Sequence, residues 1–176
     1  KKENLANVCL GSRKDFRDAV VAARNAFGGW SGRAAFNRGQ ILYRIAEMLE
    51  GRKAQFIDEL MKQDSTKVQA ESEVNLCIDR LIYYSGWCDK FQQLFSAVNP
   101  VASSHFNFSV PEPMGVIAAI APQQDSLLGL VSVIAPIIAG GNTCVVLAST
   151  VKPLCAVTFA EVLNSSDLPG GVVNIL

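Results

Sequence analysis

The polar residues best placed to do chemistry follow two apolar runs in the last third of the chain. They fall in the segments 121–126 and 148–152, which are rich in Gln, Asp, Ser and Thr. Gln124 offers an amide hydrogen-bond donor, and Asp125 could exchange a proton or cap a helix. For Asp125 we favour a solvated loop carboxylate or a cap for the helix beginning near Leu127, because carboxylates are favoured at helix N-termini.

Other residue types that often carry chemistry are scattered. The single histidine, His105, lies among Ser103, Ser104 and Phe106, and we interpret it as a surface residue. Five cysteines, at positions 9, 77, 88, 144 and 155, include no CxxC pair, which indicates reduced thiols that mostly pack in the core. The sequence contains no metal-site pattern, no His-dependent triad and no GxGxxG or GxxxxGK[ST] phosphate motif.

Three apolar strands are predicted to position the two polar segments. The predicted strands are Gly115–Ala121, Thr143–Leu147 and Gly171–Leu176, the first of them fully buried. The predicted helices between them are Leu127–Gly140 and Pro153–Leu163. Alternating strands and helices predict a parallel sheet with right-handed crossovers, whose ligands bind beyond the carboxyl ends of the strands. Residues 121–126 and 148–152 should therefore lie together at that edge.

The first 97 residues predict a helical region. Ser12 and Asp15 have capping-box spacing ahead of an amphipathic helix that we expect Gly28-Gly29 to end. Further helices are predicted over Ala34–Leu49, Ala54–Lys62 and, roughly, Gln69–Phe91. The aromatic residues at 16, 27, 36, 43, 83, 84 and 87 are expected in the core, with the Trp87 indole N–H hydrogen-bonded.

Residues 98–113 predict a β arm. Val98, Val101, Phe106 and Phe108 partly alternate with polar residues, which favours an antiparallel hairpin that Pro111-Glu112-Pro113 would end. The organisation predicted from the sequence is thus a helical part at 1–97, the arm at 98–113 and a βαβαβ segment at 114–176. Both chain ends read as interrupted, so we interpret the chain as part of a longer protein.

The composition is that of a folded protein without a strong electrostatic field. Of 176 residues, 49% are hydrophobic and 18% charged, and 16 basic residues balance 16 acidic ones, which argues against nucleic-acid and membrane-surface partners. The longest apolar run, Leu127–Ala139, contains Pro136 and is too short to cross a bilayer. Without a signal peptide, and with reduced cysteines, the expected location is cytoplasmic.

Several motifs follow one another in an order typical of one family. They are Asp15–Phe27 followed by Trp30, Asn37–Leu42, Tyr83-Tyr84-Ser85-Gly86-Trp87, Glu112–Ile117, Gly141-Asn142-Thr143, and Leu168-Pro169 with Gly171–Ile175. This order, which covers almost the whole chain, resembles the cofactor-binding half of the aldehyde dehydrogenases. The resemblance implies an α/β fold with N-terminal helices, an oligomerisation-type hairpin and the start of a Rossmann-like sheet that takes NAD or NADP. The family's catalytic domain, with its nucleophilic Cys and general-base Glu, would lie beyond Leu176.

The first departure from the family follows the first predicted strand. Relatives have Pro-Trp-Asn-Phe/Tyr-Pro there, and the Asn amide stabilises an oxyanion. This chain has Pro122-Gln123-Gln124-Asp125-Ser126, so Gln124 keeps an amide donor on a side chain one methylene longer. A donor misplaced by about 1 Å can cost on the order of 100-fold in rate.

The second departure follows the second strand, where relatives hold the adenine ribose with Lys-Pro-Ala/Ser-Glu. This chain has Ala148-Ser149-Thr150-Val151, so both polar anchors are replaced. Aligning Lys152-Pro153 with the Lys-Pro of relatives would require a four-residue insertion, which the length of Leu147–Leu168 rejects. Two lost hydrogen bonds, at roughly 1–3 kcal/mol each, would weaken dinucleotide binding by about 100-fold or more.

The resemblance implies a set of site residues and leaves two functions open. Gln124 would be the catalytic donor, no metal is expected, and the cofactor-contacting residues would be Ile120, Ala121, Pro122, Gln123, Ala148, Ser149 and Val151. One hypothesis is a degenerate cofactor-binding region of an oxidoreductase, with NAD or NADP binding weak or lost. The other is a pseudoenzyme unit, resembling the second unit of tandem (family-16-type) aldehyde dehydrogenases, whose arm serves a homo-oligomer or a tandem partner. An unrelated α/β binding domain becomes credible only if the three strands are not parallel.

Overall fold

A computed structural model describes residues 4–176, in which helices precede a hairpin and a small parallel sheet. The helices are α1 (Arg13–Ser31), α2 (Ala35–Gly51), α3 (Lys53–Lys62), α4 (Lys67–Trp87), α5 (Phe91–Phe95), α6 (Leu128–Ala139) and α7 (Leu154–Asn164). The strands are β1 (Ala97–Asn99), β2 (Asn107–Ser109), β3 (Val116–Ile120), β4 (Thr143–Leu147) and β5 (Val173–Ile175). The α/β fold predicted from the sequence is confirmed.

Helix α1 begins as predicted and ends later than predicted. Ser12 N donates to Asp15 Oδ2 over 2.8 Å and Asp15 N donates to Ser12 Oγ, which is the predicted capping box. The helix then continues through Gly28-Gly29 to Ser31, so the predicted end is wrong. Trp30 explains the extra turn, because its fully buried indole donates to Ile138 O over 3.0 Å and this tertiary contact outweighs the helix-breaking tendency of glycine.

Helix α4 differs from its prediction at both ends. Thr66 and Gln69 form a capping box that starts the helix at Lys67, and the helix stops at Trp87, four residues before the predicted end at Phe91. The short helix α5 was not predicted, because five residues carry too little periodicity.

The prediction that the aromatic residues of this region lie in the core is wrong for several of them. Phe16, Phe36, Tyr43 and Tyr83 are exposed, Phe36 by 66%. Their apolar spacing is helical, but these positions lie on exposed faces of α1, α2 and α4. The buried indole hydrogen bond predicted for Trp87 belongs instead to Trp30.

The predicted arm is an antiparallel pair of short strands. β1 pairs with β2 so that Val98 faces Phe108, and all three residues of β2 are exposed. His105 lies exposed in the connection, with its Nδ1 2.9 Å from Ser103 Oγ, which agrees with the predicted surface role.

The three remaining strands form the predicted parallel sheet, in the order β3-β4-β5. Helices α6 and α7, which form the crossovers, pack with Cys144 and Val146 on one face of the sheet. Helix α1 covers the opposite face, where Thr143 Oγ1 donates to Ala23 O over 3.0 Å. Gly171, at φ +86°, enters β5 so close to α1 that a Cβ there would lie 2.6 Å from Ala22 O.

Strand β3 is not fully buried, contrary to the prediction. Its burial alternates, and Ile120 at its carboxyl end is 71% exposed. Among the described residues β3 pairs only with β4, which leaves its other edge without a strand partner. The strands β3 and β4 therefore end beside a partly open apolar surface.

A buried guanidinium connects the helical layer, which consists of α2, α3 and α4, to the amino edge of the sheet. Arg38 is 5% exposed, and it donates to Arg33 O over 2.6 Å and to Ala139 O at the end of α6. Burial lowers the pKa of this guanidinium. The cation compensates carbonyls that the ends of helices leave without partners.

Candidate functional site

The carboxyl ends of β3 and β4 lead into two loops that lie side by side. Loop A is residues 121–127 and loop B is residues 148–153. Ala121 N donates to Leu147 O over 2.9 Å, which carries the parallel ladder into the loops. The sequence prediction that these segments share one edge of the sheet is confirmed.

Gln123 joins the two loops. Its Oε1 accepts from Thr150 N and from Thr150 Oγ1, both at 2.9 Å. Its backbone oxygen accepts from Ser149 Oγ over 2.8 Å. One glutamine of loop A thus makes three hydrogen bonds to loop B, and its carboxamide has no acceptor lone pair pointing freely to solvent.

Two serines complete the connection inside the loops. Ser149 is buried, and its Oγ accepts from Lys152 N over 3.0 Å, which forms a tight turn before α7. Ser126 is also buried, and its Oγ donates to Lys152 O over 2.8 Å. These serines are therefore used to shape the loops. Lys152 lies five residues after the end of β4 and two before the start of α7.

A side chain from the helical layer holds the two loops through hydrogen bonds. Gln63, at the end of α3, is 8% exposed; its Nε2 donates to Ser126 Oγ over 3.1 Å and its Oε1 accepts from Leu154 N over 3.1 Å. Gln63 thus caps α7, whose N-cap residue Pro153 provides no side-chain acceptor. The sequence carries no local signal for this contact, because Gln63 and Leu154 are 91 positions apart.

The start of α6 is capped by Glu73 of α4. Its Oε1 accepts from Leu127 N over 2.9 Å and from Leu128 N over 3.0 Å. The prediction that Asp125 caps this helix is wrong, while its alternative as a solvated loop carboxylate agrees with the exposed position. Packing of α4 against α6 brings the longer Glu73 side chain to the helix end.

The residue predicted as catalytic donor, Gln124, stands apart from this network. It is exposed, and among the described residues its side chain makes no hydrogen bond. Its neighbour Gln123 is half-buried and fully engaged. The two adjacent amides therefore differ in availability, and only Gln124 is free to meet another group.

The remaining predicted cofactor residues are apolar and differ in their exposure. Ile120 and Val151 are 71% and 70% exposed, and Pro122 is also exposed. Ala148 is half-buried and Ala121 is buried. Together they present apolar surface without side-chain donors or acceptors. Such a surface can contact the face of a ring, but it cannot hold a sugar hydroxyl.

The buried cysteines do not supply a nucleophile. Burial raises the pKa of the thiols of Cys144 and Cys155 to about 12 and that of Cys88 to about 11, and it also raises the pKa of Cys77. Since the thiolate is the reactive form, these thiols are inert core residues. Cys9 is the exposed exception to the predicted core packing.

Residues 4–176 lack both a metal-binding cluster and a membrane-spanning helix. No group of three or more His, Cys, Asp or Glu is gathered there in a way that could hold a metal ion. Within the same residues, no helix is both long and apolar enough to span a membrane.

At this edge the polar groups of Gln123 and Ser149 are already engaged in hydrogen bonds. Gln123, Ser149 and Thr150 bond to one another, while the other exposed residues of the loops are Pro122 and Val151 together with the polar Gln124 and Asp125. Ribose hydroxyls need buried acceptors and donors, and each one missing costs roughly 1–3 kcal/mol. The exposed apolar residues therefore offer contact to the face of a ring, and Gln124 and Asp125 are exposed polar side chains beside them.

Comparisons with known proteins agree on one family. The model of the aldehyde dehydrogenase family matches residues 1–176. Mitochondrial 10-formyltetrahydrofolate dehydrogenase of Homo sapiens is 32% identical over 177 residues, which cover 98% of the chain and 19% of that protein. The cytosolic 10-formyltetrahydrofolate dehydrogenase of Pongo abelii is 33% identical over 177 residues, with 98% and 20% covered.

Solved structures give the same result. A mutant of aldehyde dehydrogenase C from Pseudomonas syringae, in complex with NAD+ and octanal, superposes with a TM-score of 0.89 at 31% identity, covering 99% of this chain and 35% of that one. PnpE in complex with nicotinamide adenine dinucleotide has a TM-score of 0.86 at 29% identity, with 92% and 33% covered. The chain thus spans about a fifth to a third of the length of these relatives.

Proposed function

Since the chain belongs to the aldehyde dehydrogenase family, we propose that it is the N-terminal cofactor-binding region of an aldehyde dehydrogenase-type oxidoreductase in degenerate form. The observation that carries the proposal is the closed network of loops A and B, in which Gln123, Thr150 and Ser149 bond to one another. Residues 1–97 would be its helical part, 98–113 its oligomerisation-type arm and 114–176 its Rossmann-like segment.

In competent relatives the nicotinamide cofactor accepts a hydride during aldehyde oxidation. We assign to this chain only weak contacts to NAD or NADP, made by Ile120, Ala121, Pro122 and Val151, with Ala148, Gln123 and Ser149 shaping the loops behind them. Gln124 would be an oxyanion donor only if further segments of the protein bring a reacting group to it. The four buried thiols support a cytoplasmic location as part of the same proposal.

Restoring the two polar anchors tests the cofactor proposal. The wild-type chain and the double variant Ala148→Lys/Val151→Glu are titrated with NAD+ and NADP+ by calorimetry. We expect millimolar binding for the wild type and a gain of about 100-fold in NAD+ affinity for the variant, at roughly 1.4 kcal/mol per tenfold change. Micromolar binding by the wild type would refute the degenerate site, and no binding by either chain would refute the cofactor-binding region itself.

A second candidate function, assembly without catalysis, is favoured by the β1–β2 arm. Val98, Phe106 and Phe108 are 69%, 74% and 60% exposed, and they line a shallow cavity of about 300 Å³. The arm pairs only with itself among the described residues, so its outer strand edges are available for strand addition. We propose that it joins a second copy of the chain or a tandem unit.

Light scattering of three chains tests assembly. The particles formed by the double variant Phe106→Ser/Phe108→Ser should have a lower average mass than those of the wild type, because the variant lacks the exposed apolar rings of the arm. Val157→Ser is the matched control, since Val157 is 55% exposed on α7, away from the arm. A wild-type mass equal to that of a single chain, or an equal mass for all three, would count against this function.

A further inference from the structure

Helix α6 begins without an acceptor of its own. Its N-cap residue is Leu127, whose side chain cannot accept a hydrogen bond, and the first N–H groups of a helix lack partners within the helix. Both Leu127 N and Leu128 N instead donate to Glu73 Oε1. We infer that Glu73 is the resident anion of this helix end, a positioning residue that fixes loop A and closes α6 to phosphate.

The position gives the inference its weight. In dinucleotide-binding sheets the helix after the first strand points its N-terminus at the pyrophosphate, where free N–H groups and the helix dipole favour an anion. In this chain a carboxylate already meets those N–H groups. A phosphate there would have to displace Glu73 or accept a like charge at contact distance.

A second observation closes the same helix end from the other side. Gly129 lies in the first turn of α6, and a Cβ placed on it would be 3.0 Å from Pro122 Cδ and 3.2 Å from Asp125 Cβ. Loop A is therefore packed directly against the turn. The end of α6 thus has Glu73 bonded to its first N–H groups and loop A packed against its first turn.

Glu73 is held in place by the packing of its own helix. Its neighbours Val74 and Cys77 are fully buried. Two turns further along α4, Arg80 contacts the Ser132 hydroxyl of α6, so the interface is fixed by polar contacts at both Glu73 and Arg80. The α4–α6 interface therefore holds Glu73 within reach of the two N–H groups.

Helix α7 repeats the arrangement with a neutral group. Gln63 accepts from Leu154 N, so both helices that start at the carboxyl edge are capped from the helical layer. The inference goes beyond the proposed function and does not depend on it: a nucleotide bound at this edge would place its phosphates away from the start of α6, where the carboxylate stands.

Amide NMR spectra of the 176-residue chain test the role of Glu73. In Glu73→Ala the Leu127 and Leu128 amides should shift strongly and exchange faster with solvent, because their charged acceptor is gone. Formate, but not chloride, should fill the vacated position and return both amides toward their wild-type shifts. The melting temperature should fall by about 3–6 °C and recover by at least half with formate.

Two further variants separate charge, space and global stability. Glu73→Gln keeps an oxygen acceptor and fills the space, so its two amides should shift less and should not respond to formate. Glu71→Ala is the matched control on the same helix, and it should leave the Leu127 and Leu128 amides unchanged. If Glu73→Ala does not fold, Glu73→Gln decides: unchanged Leu127 and Leu128 amides in that variant would overturn the inference.

Inorganic pyrophosphate and NAD+ are then added to the wild-type chain. Neither should move the Leu127 and Leu128 amides, even if NAD+ moves others at the edge. Displacement of these two amides by either anion, or a failure of formate to act on a folded Glu73→Ala chain, would overturn the inference. If NAD+ moves no amide anywhere, the cofactor proposal fails while the role of Glu73 stands on the formate result.

Discussion

The carboxyl edge of the sheet and the β1–β2 arm satisfy their side chains in opposite ways. At the edge, Gln123 and Ser149 bond across loops A and B, and Gln63 and Glu73 cap the two helices beside them. In the arm, Val98, Phe106 and Phe108 expose most of their apolar surface. These polar side chains at the edge find their hydrogen-bond partners within the chain. The apolar side chains of the arm would be buried only by contact with another surface.

This difference indicates where external contacts can contribute free energy. A ligand at the edge has to compete with hydrogen bonds that the chain already makes, and the net gain from exchanging one hydrogen bond for another is small. A partner at the arm meets exposed phenylalanine rings, whose full burial would contribute roughly 1.5–3 kcal/mol each. The comparison therefore favours the proposed assembly through the arm over tight ligand binding at the edge as a source of free energy.

The strongest way to break the comparison is to remove Gln63. Gln63→Ala leaves Leu154 N and Ser126 Oγ without their buried partner and opens a cavity, so the free energy of unfolding should fall by about 2–4 kcal/mol. Urea denaturation measures this loss. Gln55→Ala, on an exposed face of the same helix, is the control and should change stability by less than about 0.5 kcal/mol.

A thiol reagent gives a local check on the same variant. Cys155 lies under the loops beside Gln63, and burial raises the pKa of its thiol to about 12. The wild-type chain should therefore label quickly only at Cys9, and Gln63→Ala should also label at Cys155. A stable Gln63→Ala chain with an unreactive Cys155 would mean that the loops do not depend on this side chain.

The adjacent glutamines of loop A provide a smaller and sharper test. Gln123→Ala removes the acceptor of Thr150 N and Thr150 Oγ1, so stability should fall by about 1 kcal/mol and the Thr150 amide should exchange roughly tenfold faster. Gln124→Ala, one residue along, should change neither quantity. Denaturation together with amide hydrogen exchange measures both. Equal effects of the two substitutions would remove the distinction between an engaged and a free amide.

Local patterns account for what could be predicted from the sequence. The parallel order of β3, β4 and β5 follows from alternating strand and helix patterns, and the Ser12–Asp15 capping box is a signal three residues long. These features depend on neighbours in the chain. Their prediction required no knowledge of tertiary contacts.

The site depended on contacts that no local pattern records. Glu73 lies 54 positions before Leu127, and Gln63 lies 91 positions before Leu154, so nothing near either helix start pointed to its cap. Asp125 carried the local signal and was the wrong choice. The continuation of α1 past Gly28-Gly29 has the same origin, since Trp30 bonds to a residue 108 positions away.

The smallest effect is expected in the arm, and it distinguishes a surface kept for contact from one that supports the fold. Phe106→Ser/Phe108→Ser should change the free energy of unfolding of the dilute chain by less than about 0.5 kcal/mol, because both rings are already exposed in the folded state. Urea denaturation at several protein concentrations measures it. If the arm joins copies, the wild-type midpoint should rise with concentration and that of the double variant should not. A loss above about 1.5 kcal/mol at the lowest concentration would mean that the rings pack against the chain itself, and the contrast between a closed edge and an open arm would then no longer hold.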